Sequence, residues 1–226
     1  MRGYSQLGQD RFTLQMLGFV RQGFFVDSGA SDGITASNTY LLETQYDWRG
    51  ICVEPNAGFF AQLAKTRRAS CIDCCLYDSE GTVEFFEGGT LGGVLADYPL
   101  ELLAHAAQAY PGAKNANGNP AAVLKPSRTI ASVLAQFKAP PIIDYWSLDT
   151  EGSELRILRS FPFDRYRVRV ITVEHNRYPV RVEIQRFLQA RGYVLARDFG
   201  IDDGYVEASL AAEGSPQLRW RRRRNL

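Results

Sequence analysis

The segment between residues 24 and 33 constrains the fold of this chain more than any other part of the sequence. An apolar run ends at Asp27, a loop with Gly29 and Gly33 follows, and a segment with helical character begins at Thr35. A buried strand that leads through such a loop into a helix is typical of the ligand-binding edge of an open α/β sheet, where backbone N–H groups converge. An ordinary glycine turn is the alternative for the loop taken alone.

The spacing of the two glycines distinguishes this loop from one large class of nucleotide-binding sites. Gly29 and Gly33 lie four residues apart, and the G-x-G-x-x-G spacing of dinucleotide-binding folds is missing. Asp27-Ser28-Gly29-Ala30 instead resembles the D-x-G-A loop with which methyltransferases hold S-adenosylmethionine (SAM). The spacing therefore favours SAM over NAD as the nucleoside that this loop would bind.

Strand-like and helical segments alternate along the rest of the chain. Short apolar runs predict strands at 24–28, 50–54, 70–76, 82–86, 142–148 and 168–173, and a closing antiparallel pair at 193–196 and 205–208. Helical spacing predicts helices at 9–20, 35–45 and 130–137, and further helices around Phe60, Leu155 and Ile184. This alternation predicts an α/β fold whose seven-stranded, mostly parallel sheet carries helices on both faces and ends in a C-terminal antiparallel strand pair.

The length of the chain fits a single domain over residues 1–226. Gly, Ala, Asn and Pro are frequent between residues 88 and 126, where we predict a helix near 98–109 and a loop at 111–126. Insertions of this length are uncommon in compact domains, so the whole of 88–126 is predicted to act as a lid. The arginine-rich residues 219–226 are predicted to be a solvated basic tail, with contact to phosphate or an anionic membrane surface as the alternative.

Charge, hydropathy and cysteine usage limit the partners and the location. A formal net charge of +1 provides no field suited to nucleic acid, and no apolar run approaches the ~20 residues of a transmembrane helix. The N-terminus lacks the apolar core of a signal peptide, and the four cysteines are interpreted as free thiols. We therefore expect a cytoplasmic protein with no nucleic-acid partner and no transmembrane segment. The sequence does not indicate its oligomeric state.

Acidic residues and one histidine follow four of the predicted strands. These residues are Asp27, Glu54, Asp149, Glu151, Glu174 and His175. Because the carboxyl ends of parallel strands meet at the same edge of a sheet, we expect the six side chains to surround one site. Unpaired buried charges are costly, so a ligand, a cation or water must contact these carboxylates.

Glu54 is the candidate ligand for a ribose. It follows Gly33 by 21 residues, about the separation at which an acid reaches a ribose diol in nucleotide-binding folds. A solvated or helix-capping glutamate is the alternative. Asp27 is predicted to fix the loop near the amino acid end of the cofactor. Asp73 and Cys74 are candidates for an adenine pocket, with a structural role for Asp73 as an equal alternative.

The catalytic candidates are Asp149, Glu151, Glu174 and His175. An acid at the end of the strand at 142–148 can stabilise a cationic sulfur, orient an acceptor hydroxyl or hold a divalent metal. His175 can accept a proton at neutral pH and is therefore the candidate general base. A divalent ion on Asp149, Glu174 and His175 is the less favoured alternative, so no metal is predicted.

Six motifs of the chain together resemble the FkbM-like methyltransferases, over roughly residues 4–87 and 128–210. The motifs are Ser5-Gln6-x-x-Gln9-Asp10, Phe25-Val26-Asp27-x-Gly29-Ala30-x-Asp32-Gly33, Ser37-Asn38-Thr39, Trp48-Arg49-Gly50-x-x-Val53-Glu54-Pro55-Asn56, Asp144-Tyr145-x-Ser147-Leu148-Asp149-x-Glu151-Gly152-x-Glu154 and Val173-Glu174-His175-Asn176. The resemblance implies a Rossmann-like class I fold and a methyltransferase of the EC 2.1.1 class. It also implies direct transfer of methyl from SAM, with S-adenosylhomocysteine as product, to a hydroxyl on a sugar, polyketide or other glycan-like acceptor.

The resemblance also divides the site between cofactor and acceptor. The implied cofactor-binding residues are Gln6, Gln9, Asp27, Gly29, Ala30, Asp32, Gly33, Ser37, Asn38, Glu54, Pro55, Asp73, Cys74 and Asp149. The residues implied to hold the methionyl carboxylate and amine are Gln6, Gln9, Ser37 and Asn38, and those implied to face the acceptor are Asp149, Glu151, Glu174 and His175.

The chain differs from the family pattern in two places, and two other functions are alternatives to methyl transfer. Ser28 stands where valine or isoleucine is more usual, and the insertion at 88–126 matches no recognised pattern, which leaves the acceptor open. An NAD-dependent oxidoreductase is one alternative, disfavoured by the missing third glycine. A non-catalytic SAM-binding module is the other, and it would not need Asp149 and His175 together.

Overall fold

The computed structural model describes residues 3–99, 102, 105, 108–110 and 121–212. Its strands are β1 (Phe24–Ser28), β2 (Arg49–Val53), β3 (Ser70–Ile72), β4 (Cys75–Tyr77), β5 (Gly81–Phe86), β6 (Gly93–Val94), β7 (Ala122–Thr129), β8 (Ile142–Leu148), β9 (Arg167–Glu174), β10 (Tyr193–Asp198) and β11 (Asp202–Glu207). Its helices are α1 (Gln9–Met16), α2 (Tyr40–Tyr46), α3 (Ala57–Thr66), α4 (Ile130–Gln136), α5 (Glu154–Ser160), α6 (Val180–Gln189) and α7 (Ala208–Ala212), with a 3-10 turn at Gly89–Leu91. Among the residues described, no helix combines the length and the apolar character that crossing a membrane requires.

Seven strands form the larger sheet, in the order β10-β11-β9-β8-β1-β2-β3. Parallel pairing joins β3, β2, β1, β8 and β9 in turn, whereas β11 runs antiparallel to both β9 and β10. The predicted α/β class is confirmed, and the sheet is mixed. Because β1 lies between β2 and β8, its last residue Ser28 pairs with Val53 on one side and Leu148 on the other. The ends of these three strands therefore meet at one point.

Apolar side chains cover both faces of the larger sheet. Val26 and Trp146 belong to the core cluster on one face, and their neighbours Phe25 and Tyr145 belong to the cluster on the other. Successive residues of a strand point to opposite faces, so a central strand buried on both sides is an almost continuous apolar run. This explains why β1 and β8 are predicted at their observed positions from the sequence.

A second sheet, absent from the sequence prediction, contains four strands in the order β4-β7-β5-β6. The predicted strand at 70–76 is wrong at its centre, because β3 ends at Ile72 and the chain enters the second sheet at Cys75. The predicted loop at 111–126 is wrong from Ala122 onward, since β7 begins there and pairs with β4 and β5. Residues 111–120 lie outside the described residues.

The first two helices are shorter than predicted, for reasons in the backbone. α1 ends at Met16 because Gly18 and Phe19 take left-handed φ values of 64° and 58°. α2 begins only at Tyr40, because Asp32 Oδ1 accepts hydrogen bonds from the backbone N–H groups of Ile34 and Thr35 and closes a turn. The predicted basic tail lies wholly outside the described residues, and so does half of the predicted helix near 98–109.

Candidate functional site

A cleft of about 670 Å³ lies at the carboxyl ends of β1, β2, β8 and β9. Most predicted site residues line it, namely Gln6, Gln9, Asp27, Gly29, Ala30, Asp32, Ser37, Asn38, Glu54, Pro55, Cys74, Asp149, Glu151 and Glu174. Three do not line it: Gly33, Asp73 and His175. The strand-end acids are thus brought to one cleft, and the histidine is not.

Gly29 permits the close approach of two strand ends. Its φ is +83°, in the left-handed region, and an added Cβ would lie 1.8 Å from the carbonyl oxygen of Asp149. The backbone N–H groups of Gly29 and Ala30 donate to the carbonyl of Val53, at 3.0 and 3.1 Å. Only glycine fits this position, because a side chain would separate the loop after β1 from the end of β8.

Asp27 fastens the same loop from within. It is buried, and its Oδ2 accepts a hydrogen bond of 2.5 Å from the hydroxyl of Thr39. Arg67 lies 3.9 Å from Asp27 and donates to Glu43 at 2.6 Å. Burial raises the pKa of Asp27, although the Arg67 guanidinium and the Thr39 hydroxyl oppose that effect. This buried network, which ties β1 to the segments before α2 and after α3, gave no signal in the sequence.

Gly33 supports the loop without lining the cleft. Its φ is +84°, and an added Cβ would lie 2.7 Å from a methyl carbon of Leu63 on α3. The Gly33 carbonyl also accepts a hydrogen bond of 3.1 Å from Arg67. The structure therefore places Gly33 between the loop and α3, where it acts on the cleft only through the loop.

Glu54 is held rigidly at the end of β2. Its two carboxylate oxygens accept hydrogen bonds from the backbone N–H groups of Ser31, at 2.8 Å, and Asn56, at 2.7 Å. The side chain is buried, and burial raises its pKa to about 7 in spite of these hydrogen bonds. A carboxyl group fixed on both oxygens and lining a cleft is oriented for a ligand, since an oxygen has a further lone pair to accept a hydroxyl.

The polar residues before α1 and α2 lie on the same side of the cleft. Asn38 donates from Nδ2 to the hydroxyl of Ser147 at 2.9 Å, while its buried Oδ1 has no hydrogen-bond partner among the residues described. Gln9 donates to Asp202 at 2.5 Å. Buried polar atoms are nearly always paired, so the free Asn38 oxygen in the cleft is an acceptor available to a ligand.

Of the two residues predicted to contact adenine, Cys74 and Asp73, only Cys74 lines the cleft. Cys74 is buried and lines the cleft beside Leu76, and burial raises the pKa of its thiol to about 12. Asp73 is exposed and lies outside the cleft. The prediction that Asp73 contacts the cofactor is therefore not supported, because the main sheet ends before Asp73 and the chain turns there into the second sheet.

Three acids form a carboxyl cluster on the floor of the cleft. Asp149, Glu151 and Glu174 each present a carboxyl oxygen within 4.8 Å of the others. Burial, with repulsion from nearby acids, raises the pKa of Asp149 to about 7, although a hydrogen bond with Glu174 opposes that rise. Burial and repulsion also raise the pKa of Glu151 to about 9 and that of Glu174 well above its usual range. Carboxyl groups this close cannot all be ionised at neutral pH, so the cluster holds protons.

The backbone around the carboxyl cluster is strained. Glu151 and Asn176 have φ values of 57° and 47°, in the left-handed region. The side-chain amide of Asn176 lies 3.4 Å from a carboxyl oxygen of Glu151. Non-glycine residues in this conformation persist only where the surrounding structure imposes it, and they are concentrated at functional sites.

His175 points away from the cleft. Its Nδ1 accepts a hydrogen bond of 3.0 Å from the backbone N–H of Arg177, and its Nε2 lies 3.6 Å from Asp203. Glu174, the last residue of β9, lines the cleft, whereas His175 begins the following loop, where its backbone N–H donates to the carbonyl of Ile201, and does not line the cleft. The prediction of His175 as general base is corrected on this ground. In the alternative cation set, Glu151 takes the place of His175.

A match to a family model over most of the sequence identifies the family of this chain. A model of the FkbM methyltransferase domain matches residues 27–195, from the glycine loop to β10. This chain belongs to the FkbM methyltransferase family. No curated protein matches its sequence.

Three solved structures similar to this FkbM-family chain share 10–16% of its sequence. An FkbM methyltransferase from Methylobacillus flagellatus is 16% identical, with a TM-score of 0.49 over 84% of this chain and 45% of the other. A precorrin-6y C5,15-methyltransferase from Geobacter metallireducens is 12% identical, with a TM-score of 0.43 over 82% and 71%. A methyltransferase from Pyrococcus furiosus is 10% identical, with a TM-score of 0.41 over 88% and 80%. Family membership rests on the sequence match; the chain spans less than half of the first structure.

Some residues that line the cleft of this FkbM-family chain were not predicted from its sequence. Asp202 begins β11, pairs in register with Glu174 and lines the cleft. In the sequence it reads as part of a turn between two closing strands. Its position follows from the antiparallel direction of β11, whose first residue meets the last residue of β9. Tyr178 and Asn176 also line the cleft from the loop after β9.

The carboxyl cluster predicts that stability falls as the pH rises. An acid whose pKa is raised from 4.5 to about 9, as for Glu151, binds more protons in the folded than in the unfolded state between these values. The free energy of unfolding therefore decreases through that window. We expect Glu151→Gln to be more stable than the native chain at pH ~9, by about 1 kcal/mol or more, in urea unfolding. The exposed Glu84→Gln serves as control and should change nothing; a Glu151→Gln variant less stable than native would contradict the prediction.

Proposed function

We propose that this chain is a SAM-dependent O-methyltransferase acting on a hydroxyl of a sugar, polyketide or other natural-product acceptor. The proposal rests on two groups of residues that lie in the same cleft. The glycine loop and Glu54 lie in the same cleft as the carboxyl cluster of Asp149, Glu151 and Glu174. A nucleoside site and a proton acceptor are thereby next to each other. The FkbM family gives the reaction class.

The cofactor half of the cleft fits the chemical groups of SAM. We assign to Glu54 the ribose hydroxyls, and to the Oδ1 of Asn38, which has no hydrogen-bond partner among the described residues, the methionyl ammonium; the fixed orientation of Glu54 and the free oxygen of Asn38 support these roles. The turn at Gly29 keeps the loop after β1 against the end of β8, and both line the cleft. When bound, SAM supplies an electrophilic methyl group on a sulfonium sulfur.

The acceptor half contains a pair of carboxyl groups that can take up a proton. A hydrogen bond joins Asp149 and Glu174, so at neutral pH one carboxyl is protonated and the other is charged. We assign to this pair the removal of the acceptor's hydroxyl proton. Orientation of the reactants contributes about 7–11 kcal/mol to such reactions, and a general base a further factor of roughly 10²–10⁴.

We also propose the cytoplasm as the location of the protein. All four cysteines, Cys52, Cys71, Cys74 and Cys75, are free thiols, and unpaired thiols are usual in reducing compartments.

Titration calorimetry with SAM, S-adenosylhomocysteine and NAD tests the cofactor assignment. We expect both adenosyl compounds to bind and NAD not to. Transfer of labelled methyl from SAM to a panel of hydroxyl compounds then tests the reaction. Binding of NAD alone would indicate an oxidoreductase, and SAM binding without transfer to any member of the panel would indicate a non-catalytic SAM-binding module.

Glu54→Gln is expected to weaken SAM binding by about ten- to a hundredfold, because charge-assisted hydrogen bonds to the ribose become neutral ones. Calorimetry measures the change directly. Glu84→Gln, which removes the same charge from an exposed position on β5, should leave the affinity as it is. Unchanged affinity in a folded Glu54→Gln variant would remove Glu54 from the ribose site.

A further inference from the structure

Among the described residues that line the cleft, the Asp, Glu, Lys and Arg side chains are all acidic, and His105 lines the cleft as well. Besides Asp27, six acids line it: Asp32, Glu54, Asp149, Glu151, Glu174 and Asp202. In the part of the chain that the structure describes, no lysine or arginine lines the cleft. Proteins that bind phosphate or carboxylate groups on their ligands generally present arginine, lysine or a cluster of backbone N–H groups to them.

Two basic side chains near the cleft, Arg67 and Arg181, form ion pairs with acidic residues. Arg67 is buried behind the loop, where it pairs with Glu43 and approaches Asp27. Arg181 pairs with Asp203 and with Asp198 outside the cleft. These arginines neutralise Asp27 and Asp203, and they leave the carboxyl cluster without a cationic partner.

The remaining wall, opposite the carboxyl cluster, is neutral. Phe85 and Val94 reach it from the second sheet and are 3% and 4% exposed. Thr90, Leu91 and Tyr178 complete it. An acceptor seated between this wall and the carboxyl cluster would meet apolar surface and neutral hydrogen-bonding groups on one side and carboxyl groups on the other.

We propose that the acceptor carries no phosphate, sulfate or carboxylate near its reacting hydroxyl and is a neutral or ammonium-bearing compound. An anion there would lie beside the carboxyl groups of the cleft that remain ionised, and no lysine or arginine of the described lining offsets the repulsion between like charges, which is strong in a poorly solvated cleft. This inference rests on the proposed function and narrows it. Acceptors still attached to a nucleotide or phosphate close to the methylated position are excluded by the same argument.

Analogues of SAM that place a group where the acceptor approaches test the inference by calorimetry. The carboxymethyl analogue of SAM carries a carboxylate on the transferred carbon, and S-adenosylethionine carries a neutral extension there. We expect the carboxymethyl analogue to bind at least about tenfold more weakly than S-adenosylethionine. Equal or tighter binding of the carboxymethyl analogue overturns the inference and leaves SAM dependence intact. Absence of binding by SAM itself overturns the proposed function and this inference with it.

Variants that lack single carboxyl groups test whether the cleft causes the difference in affinity between the two analogues. Asp202→Asn should reduce the ratio of the two affinities at least about threefold, since it removes a carboxyl group from the lining of the cleft. Glu151→Gln is the second variant and should act in the same direction above a pH of about 9, where the Glu151 carboxyl group ionises. Glu183→Gln removes the same charge from an exposed pair with Arg159 on the surface and should leave the ratio unchanged. A ratio that falls equally in the surface variant, or in none of the three, overturns the inference.

Discussion

Replacing Gly29 with alanine is expected to lower the free energy of unfolding by about 3 kcal/mol or more and to abolish SAM binding. The added methyl group would lie 1.8 Å from the carbonyl oxygen of Asp149, a backbone atom that no side-chain rotation can move. To relieve the overlap, the loop after β1 must separate from the end of β8, and these are the two edges of the cleft. Urea unfolding measures the stability, and calorimetry with SAM measures the binding.

Gly192→Ala is the matched control for this prediction. Gly192 has a φ of +84°, almost the same as the +83° of Gly29, but no atom lies within 4 Å of the position of its Cβ. Alanine at Gly192 therefore carries the backbone strain alone, about 1 kcal/mol, without the overlap. Similar losses in the two variants would show that backbone conformation, and not the approach of the strand ends, explains the requirement for Gly29.

The larger sheet was predictable because its central strands are buried on both faces. β1 and β8 are largely apolar runs, with Asp27 near the end of β1 and Asp149 directly after β8, and both strands occur at the residues predicted. The direction of parallel strands then places Asp27, Glu54 and Asp149 at one edge without further information. The cleft could thus be located from the sequence, although no contact within it could be derived.

His175 shows why a one-residue error in a strand boundary matters at a site. The sequence predicts a strand at 168–173, while β9 continues through Glu174. Glu174 is the last residue of β9 and lines the cleft, whereas His175 begins the following loop and does not line it. Sequence periodicity determines strand ends only to within a few residues, and Glu174 and His175 were therefore not distinguishable.

The second sheet and the buried arginine depend on contacts between distant parts of the chain. β4 and β7 pair across about 50 residues, through the register of Cys75 with Ser127. Arg67 joins Glu43 and Asp27, which are 24 and 40 residues away. Local propensity carries no information on such pairings, and a charged residue at the end of a predicted helix is ordinarily solvated.

Glu174→Gln is expected to reduce the rate of methyl transfer by roughly 10²–10⁴-fold while leaving SAM affinity within about threefold. The variant keeps the shape of the side chain but removes the carboxyl that shares a proton with Asp149. Raised pKa values in the carboxyl cluster mean that its carboxylates form only as the pH rises, so the native rate should increase through the pKa of Asp149, about 7. The other acids whose charges act on this pair are Asp27, Glu151, Glu154 and Asp202. Single-turnover transfer to an acceptor found in the hydroxyl panel measures the rate.

His175→Gln is the control that separates the two neighbours at the end of β9. The His175 ring contacts the Arg177 N–H and lies near Asp203, outside the cleft, so its loss should change the rate less than about tenfold. Added EDTA should change neither rate, because the proposed proton transfer needs no metal. The opposite ranking, with His175→Gln the slower variant at unchanged SAM affinity, would mean that the loop after β9 rearranges when the acceptor binds and brings the imidazole into the cleft. If EDTA abolishes methyl transfer, the three carboxyl groups of the cluster are instead ligands of a divalent ion. Their raised pKa values would then apply only to the metal-free chain.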